Sequence, residues 1–329
     1  MDLFSLPKIE LHLHLDCSVS YRVAAHFESE LSRSQYEAHY VAPAKCIDLP
    51  DFLSRAAKGI AMTQTIAQLR AVTLDLFRQL KGENVLYFEV RFAPLEHTLQ
   101  GLQPEEVVET VVSALDEGSK ASGIKAGLIL CTLREYPAEH SLSAAKLAVK
   151  YFGKGVVGFD MAGNEADFPI EPHIPSFKLV REHGIPCTAH AGEARGPKSV
   201  WDSIRHLGVS RIGHGVRGAE DPQLVEYLAE KNIHLEVCPT SNVQTNVYPT
   251  IDEHPVDQLF QAGISIGINS DSRTLTNTTL EQEYNLLHGQ FGWKEETFLQ
   301  CNLNALKHAF LPEAEKATLR TQLLHAYKK

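Results

Sequence analysis

The feature that most constrains the fold is an alternation: short β-branched and aromatic runs separated by longer stretches with helical spacing. Successive strands joined through helices run parallel, because each connection must cross back over the sheet. About eight such runs stand at residues 9–15, 85–92, 126–131, 156–160, 186–190, 211–214, 233–238 and 264–269. Helical candidates lie between them, such as residues 104–121, with Pro first and acids in the first turn, and residues 222–231. Eight units predict an α/β fold, a (β/α)8 TIM barrel, which commonly takes about 250 residues. The chain has 329. No fixed-period repeat, low-complexity tract or linker marks a second domain, so residues 1–329 read as one barrel domain.

One interval is too long for a single helix. Residues 21–84 are expected to hold several helices and to form a partial lid over the C-terminal mouth of the barrel, and the stretch from Lys294 onward reads as two or three closing helices. With 43% hydrophobic and 22% charged residues, the chain can fill such a core. A formal charge of -10 repels phosphate backbones and anionic lipid, which argues against nucleic acid or a membrane surface as partner. The N-terminus lacks the basic start and apolar stretch of a signal peptide, and no run approaches the ~20 apolar residues that span a bilayer. Six cysteines stand singly without a CxxC pair, as reduced thiols do, so the expected location is the cytoplasm.

In a parallel barrel the active site forms at the C-terminal strand ends, so ionisable residues there carry functional weight. His12 and His14 lie two apart on the first run, which puts both on one face; that face is read as the interior, because Leu11, Leu13 and Leu15 make an apolar opposite face for covering helices. His190 ends the fifth run in CTAHAGE and Asp271 follows the eighth in IGINSDS. Three nitrogens and one oxygen suit Zn²⁺ with a position left for water. The fourth run, VVGFDMAG, ends without a Lys or Glu to bridge two ions, so one zinc per chain is expected. Glu193, three residues after His190, either faces a metal-activated water or starts the next helix as an N-cap-region acid. His214 stands between Gly213 and Gly215 in RIGHG, where glycines permit close backbone approach or unusual φ/ψ, and it positions or deprotonates the water.

These residues stand in PKIELHLHLD, YFEVRFAP, FDMAGNE, HAGE, RIGHG, EVCPTSN and NSDSRTLTNTTLEQEY. Together, in this order and over nearly the whole chain, they resemble the adenosine deaminase branch of the amidohydrolase superfamily. The resemblance implies that His12, His14, His190 and Asp271 hold a single Zn²⁺ and that a protonated Glu193 donates to purine N1. It implies that His214 and Asp271 orient the nucleophile at C6, that the Gly163 backbone N–H reaches N3, and that Asp16 accepts from a ribose hydroxyl. The substrate would be a small purine nucleoside.

Two departures from the family pattern stand out. Cys17 follows HxHxD where Gly is usual, adding a side chain near the site. Ser272 takes the place of a second acid that contacts purine N7 in many members; its hydroxyl can still donate to N7. Residues 238–242, CPTSN, are read as shaping the strand-seven turn. The expected reaction is zinc-dependent hydrolytic deamination of adenosine and 2′-deoxyadenosine. The nearest alternative is the same chemistry on adenine, an N6-substituted adenosine or 6-aminodeoxyfutalosine, with Asp16 favouring a nucleoside. Phosphoester or lactone hydrolysis would want a second metal, and a purine-binding protein without activity would have lost one of these residues.

Overall fold

A computed structural model describes Leu3 and residues 5–328. Eight strands occur: β1 (Lys8–His14), β2 (Val85–Phe92), β3 (Lys125–Leu133), β4 (Val156–Ala162), β5 (Thr188–Ala191), β6 (Arg211–His214), β7 (His234–Val237) and β8 (Ser265–Ile268). They pair in parallel in the orders β1-β2-β3-β4 and β5-β6-β7-β8. Two single bridges join these arcs into a closed barrel: Phe159 with Cys187, and Leu13 with Asp271. Every strand lies within a residue or two of its expected position.

The strands are buried on both faces, as the fold demands. On β2, Phe88, Val90 and Phe92 point outward into the main apolar core, where Phe88 meets the helical Phe77 edge-to-face at 5.0 Å, while Glu89 and Arg91 point inward. Helix Pro104–Ser122 begins with Pro at its first turn and two acids and ends on Gly123 in the left-handed conformation. Two closing helices, Glu295–His308 and Glu313–Ala326, pack Ala305, Leu306, Leu319 and Leu323 on Ile9, Leu11 and Tyr87.

The long interval holds five helices: Tyr21–Phe27, Arg33–Tyr40, Leu49–Ser54, Ala57–Ala61 and Ile66–Gly82. The last opens with a Thr65/Gln68 capping box. This segment is tied to the loops after β7 and β8. Ala42 N–H donates to Leu275 at 2.9 Å, Cys46 N–H donates to Gln244 at 2.8 Å, and the Gln244 amide returns to the Pro43 carbonyl at 2.8 Å. Ala42, Cys46, Leu49, Phe52 and Ala56 form a small apolar cluster with Leu275, and Cys17 packs against it.

Candidate active site

β1 delivers His12 and His14 into the barrel, with Leu11 outward on the closing helices and Leu13 and Leu15 in the main core. The β1–β2 ladder shifts register between Glu10 and Leu13. Asn269, next to β8, takes up the freed groups: its Oδ1 accepts from the backbone N–H of Leu11 and His12 at 2.8 and 3.0 Å. His190 comes from β5, His214 from the end of β6, and Asp271 from just past β8. His214 and Asp271 adopt positive φ, 61° and 59°, rare for side-chain-bearing residues and typical of sites where geometry is held against strain. Gly213 is required by close approach, since a Cβ there would lie 2.8 Å from His12 Cε1.

The four expected ligands converge. His14 Nε2 lies 3.2 Å from His190 Nε2, and Asp271 Oδ1 lies 3.4 Å from both His12 Nε2 and His14 Nε2. The opposite ring nitrogens are committed: His12 Nδ1–H donates to Glu236 Oε2 at 2.9 Å, and His190 Nδ1–H donates to the Met161 carbonyl and to Asp160, each at 3.1 Å. A proton held at Nδ1 leaves a lone pair at Nε2. His12 Nε2 is fully buried and has no hydrogen-bond partner among the described residues. Burial draws the His14 pKa down to about 3, whereas the pKa of His12 is raised: burial and Arg91 pull it down, but Asp271 and Glu236 outweigh them. These nitrogens and the Asp271 oxygen converge on one point, and the N/N/N/O donor set fits zinc.

His12, His14 and His190 bring their ligand atoms within 4.8 Å of one another, and His12, His214, Cys238 and Asp271 form an overlapping cluster of the same span. Cys238 suits a metal poorly. Its thiol donates to the Glu236 carbonyl at 3.5 Å, and burial pushes its pKa well up, away from thiolate.

Glu193 is not a helix cap: the following helix, Pro197–Asp202, starts beyond it with Gly196 at its N-cap. The Glu165 carboxylate fixes the Glu193 backbone, accepting the successive N–H groups of Gly192, Glu193, Ala194 and Arg195 at 2.7, 2.9, 2.6 and 3.1 Å. The Glu193 side chain lies 3.5 Å from His214 Nε2. Burial, and then the charges of Asp271 and Glu165, raise its pKa well above the usual carboxylate range against the opposing pull of Arg134, which favours the acid form.

Asp16 is 7% exposed and lies 3.4 Å from His97, whose Nδ1–H donates to the Thr63 carbonyl at 3.1 Å. Burial pushes the Asp16 carboxyl up, but His97 more than offsets it and holds it below its ordinary range. Gly163 follows β4 with φ 91°, and a Cβ there would strike the Glu135 carboxylate at 2.1 Å. The Ser272 hydroxyl is 3.4 Å from Asp271 Oδ1. Burial, together with Asp16 and Asp271, pushes the Cys17 thiol well up, which leaves it neutral.

The sequence reading missed several contributors. CPTSN does more than shape a turn: Ser241 donates to Asp271 Oδ2 at 2.6 Å and the Asn242 amide meets His214 Nδ1 at 3.1 Å. Glu236, Asp160, Glu165 and His97 also went unassigned. A carboxylate amid apolar strand residues, as in HLEVCP or GFDMAG, was the available signal.

The chain matches the family described as Adenosine deaminase over residues 7–326. It is 38% identical over 328 residues to an adenosine deaminase of Enterococcus faecalis, covering 98% of this chain and 97% of that one. Among solved structures it resembles the adenine deaminase of Arthrobacter aurescens, with TM-score 0.90 at 22% identity, covering 98% of this chain and 100% of that one. An amidohydrolase from Burkholderia ambifaria with bound Zn is similar at TM-score 0.90 and 23% identity, covering 99% and 92%.

Proposed function

The chain belongs to the adenosine deaminase family and is a hydrolase that deaminates adenosine-type substrates; from that premise we propose zinc-dependent conversion of adenosine and 2′-deoxyadenosine to inosine and deoxyinosine, with release of ammonia. The observation that carries this reading is the buried Glu193 carboxyl, 3.5 Å from His214 Nε2, set beside the cluster of three imidazoles and one carboxylate. His12, His14, His190 and Asp271 hold the ion, one per chain. Bound there, zinc supplies Lewis-acid activation of water at neutral pH.

The chain's own residues do the rest. Glu193 donates its proton to purine N1, which makes C6 electrophilic and neutralises the charge that addition at C6 would otherwise build on the ring. His214 and Asp271 orient the attacking water. The Gly163 N–H reads N3, the Ser272 hydroxyl faces N7, and the ionised Asp16 accepts from a ribose hydroxyl. Residues 21–84 act as the lid that excludes water, and the six free cysteines support a reducing, cytoplasmic setting in purine salvage. No helix among the described residues is long and apolar enough to cross a membrane.

Two measurements test the reading. Elemental analysis of protein purified without chelator should return close to one zinc per chain; two tightly held ions, or none, would overturn the metal assignment. Steady-state rates with adenosine, 2′-deoxyadenosine, adenine, AMP and N6-methyladenosine should favour the two nucleosides in kcat/KM. A buried carboxylate left without its hydroxyl partner discriminates by factors of up to about 10⁴–10⁵, and a 5′-phosphate meets Asp16 as a like charge. A preference for adenine, AMP or the methylated nucleoside assigns the enzyme to another 6-aminopurine.

A further inference from the structure

His214 sits at the end of a buried hydrogen-bond chain whose direction is fixed by one backbone group. The N–H of Val256 donates to His254 Nδ1 at 3.1 Å, so Nδ1 of His254 is an acceptor and its ring proton resides on Nε2. Burial keeps this ring neutral, its pKa drawn down to about 3. His254 Nε2–H donates to Asn242 Oδ1 at 3.2 Å. That contact orients the fully buried Asn242 amide, whose NH₂ donates to His214 Nδ1 at 3.1 Å. An accepting Nδ1 places the His214 proton on Nε2, the nitrogen 3.5 Å from Glu193. The Asn242 carbonyl accepts from the Val247 N–H at 3.0 Å, which anchors the amide's own backbone.

We propose that Asn242 and His254 are positioning residues that lock His214 in the Nε2–H tautomer, so that it meets the attacking water as a hydrogen-bond donor and not as its base. The kinetic side of this inference rests on the functional reading above. The opposite tautomer, needed for Nε2 to take a proton from water, would turn an Nδ1–H against the Asn242 NH₂. That leaves Asp271, whose Oδ2 accepts from Ser241 at 2.6 Å, as the acceptor of the pair.

The test uses the zinc-loaded full chain with ¹⁵N-labelled histidine, the His214 signals being assigned by their loss in His214→Gln. The wild type should show a pyrrole-like Nε2 and a pyridine-like Nδ1. Asn242→Asp replaces the donor by a carboxylate acceptor, so the ring proton should move to Nδ1 while kcat falls roughly 10- to 100-fold, the range for partners that orient a site histidine. KM and zinc content should hold. His254→Phe frees the amide to rotate and should give mixed tautomers with a smaller rate loss, which covers a failure of Asn242→Asp to fold. A wild-type His214 protonated at Nδ1, or a tautomer or kcat unmoved in both variants, overturns the proposal. A wild type with Nε2–H intact that turns over no 6-aminopurine overturns the functional reading and upholds the tautomer lock.

Discussion

The barrel buries ionisable groups in two layers, and they are treated in opposite ways. In the deeper layer each charge meets its complement. Arg91 donates to Asp160 at 2.9 Å, to Glu236 at 2.6 Å and to the Leu11 carbonyl at 2.5 Å. Arg211 donates to Glu236 at 2.7 Å and to Glu89 at 2.6 Å, and Tyr87 adds a bond to Glu89 at 2.9 Å. In the layer above, at the mouth, equally buried groups are left incomplete: His12 Nε2 has no partner among the described residues, two imidazole Nε2 atoms face each other, and Glu193 keeps its proton. Glu236 marks the boundary, since one of its oxygens serves both Arg91 and His12. Burial alone therefore does not separate structural from functional charge. What separates them is how far the protein completes the group itself: Arg91 keeps one unpartnered Nε beside three paired contacts, whereas the mouth leaves imidazole nitrogens converging on one point for an ion or substrate to complete.

The sharpest way to break this contrast is at Glu193. Glu193→Gln keeps the shape but removes the acid, so kcat should fall about 10²–10⁴-fold with zinc content unchanged and no loss of folding stability. Turnover within a few-fold of the wild type would show that the incomplete layer is not the working one. The same carboxyl sets a pH expectation. The acid form is required and its pKa is raised, so the wild-type kcat should persist through neutral pH and fall only as pH rises through that raised value. A decline already under way near the ordinary carboxylate range would contradict it.

The deeper layer should respond the other way. Arg91→Met removes one cation from Asp160 and Glu236, leaving Arg211 on Glu236 and His190 on Asp160, and removing one member of a buried ion pair costs about 3–5 kcal/mol. Denaturant unfolding of the zinc-loaded protein reads this directly. A variant as stable as the wild type would mean that these charges are not held by their pairing.

The smallest effect concerns Glu10, which is intermediate between the two layers. One oxygen accepts the Ser270 N–H at 2.8 Å and the other is unpartnered among the described residues. Burial raises its pKa to about 7, with Arg273 opposing, and buried Glu283 is likewise raised to about 7. The unfolded carboxyls release their protons near 4.5, so between there and about 7 the native state binds more protons than the unfolded one. The stability contributed by these two carboxyls should therefore be fully present below this window and be lost as pH rises through it. Glu10→Gln should flatten part of that slope in Tm-against-pH measurements; an unchanged slope would remove Glu10 from the account.

Much of this protein was legible in one dimension. Period-two spacing put His12 and His14 on one strand face, and the rule that barrel sites form at C-terminal strand ends drew His190, His214 and Asp271 together before any coordinates. Such inferences depend on local periodicity and on a connectivity with few alternatives, and both are carried by the chain itself. The partners of those residues were not legible. Glu236 lies 224 residues from His12, and Glu165 holds the backbone at 192–195 from the loop after β4. The sequence determined which chemical groups line the barrel mouth. Only the closed barrel decided which of them are completed from within and which are left facing one point, because hydrogen-bond satisfaction depends on distances across the barrel that no spacing along the chain encodes.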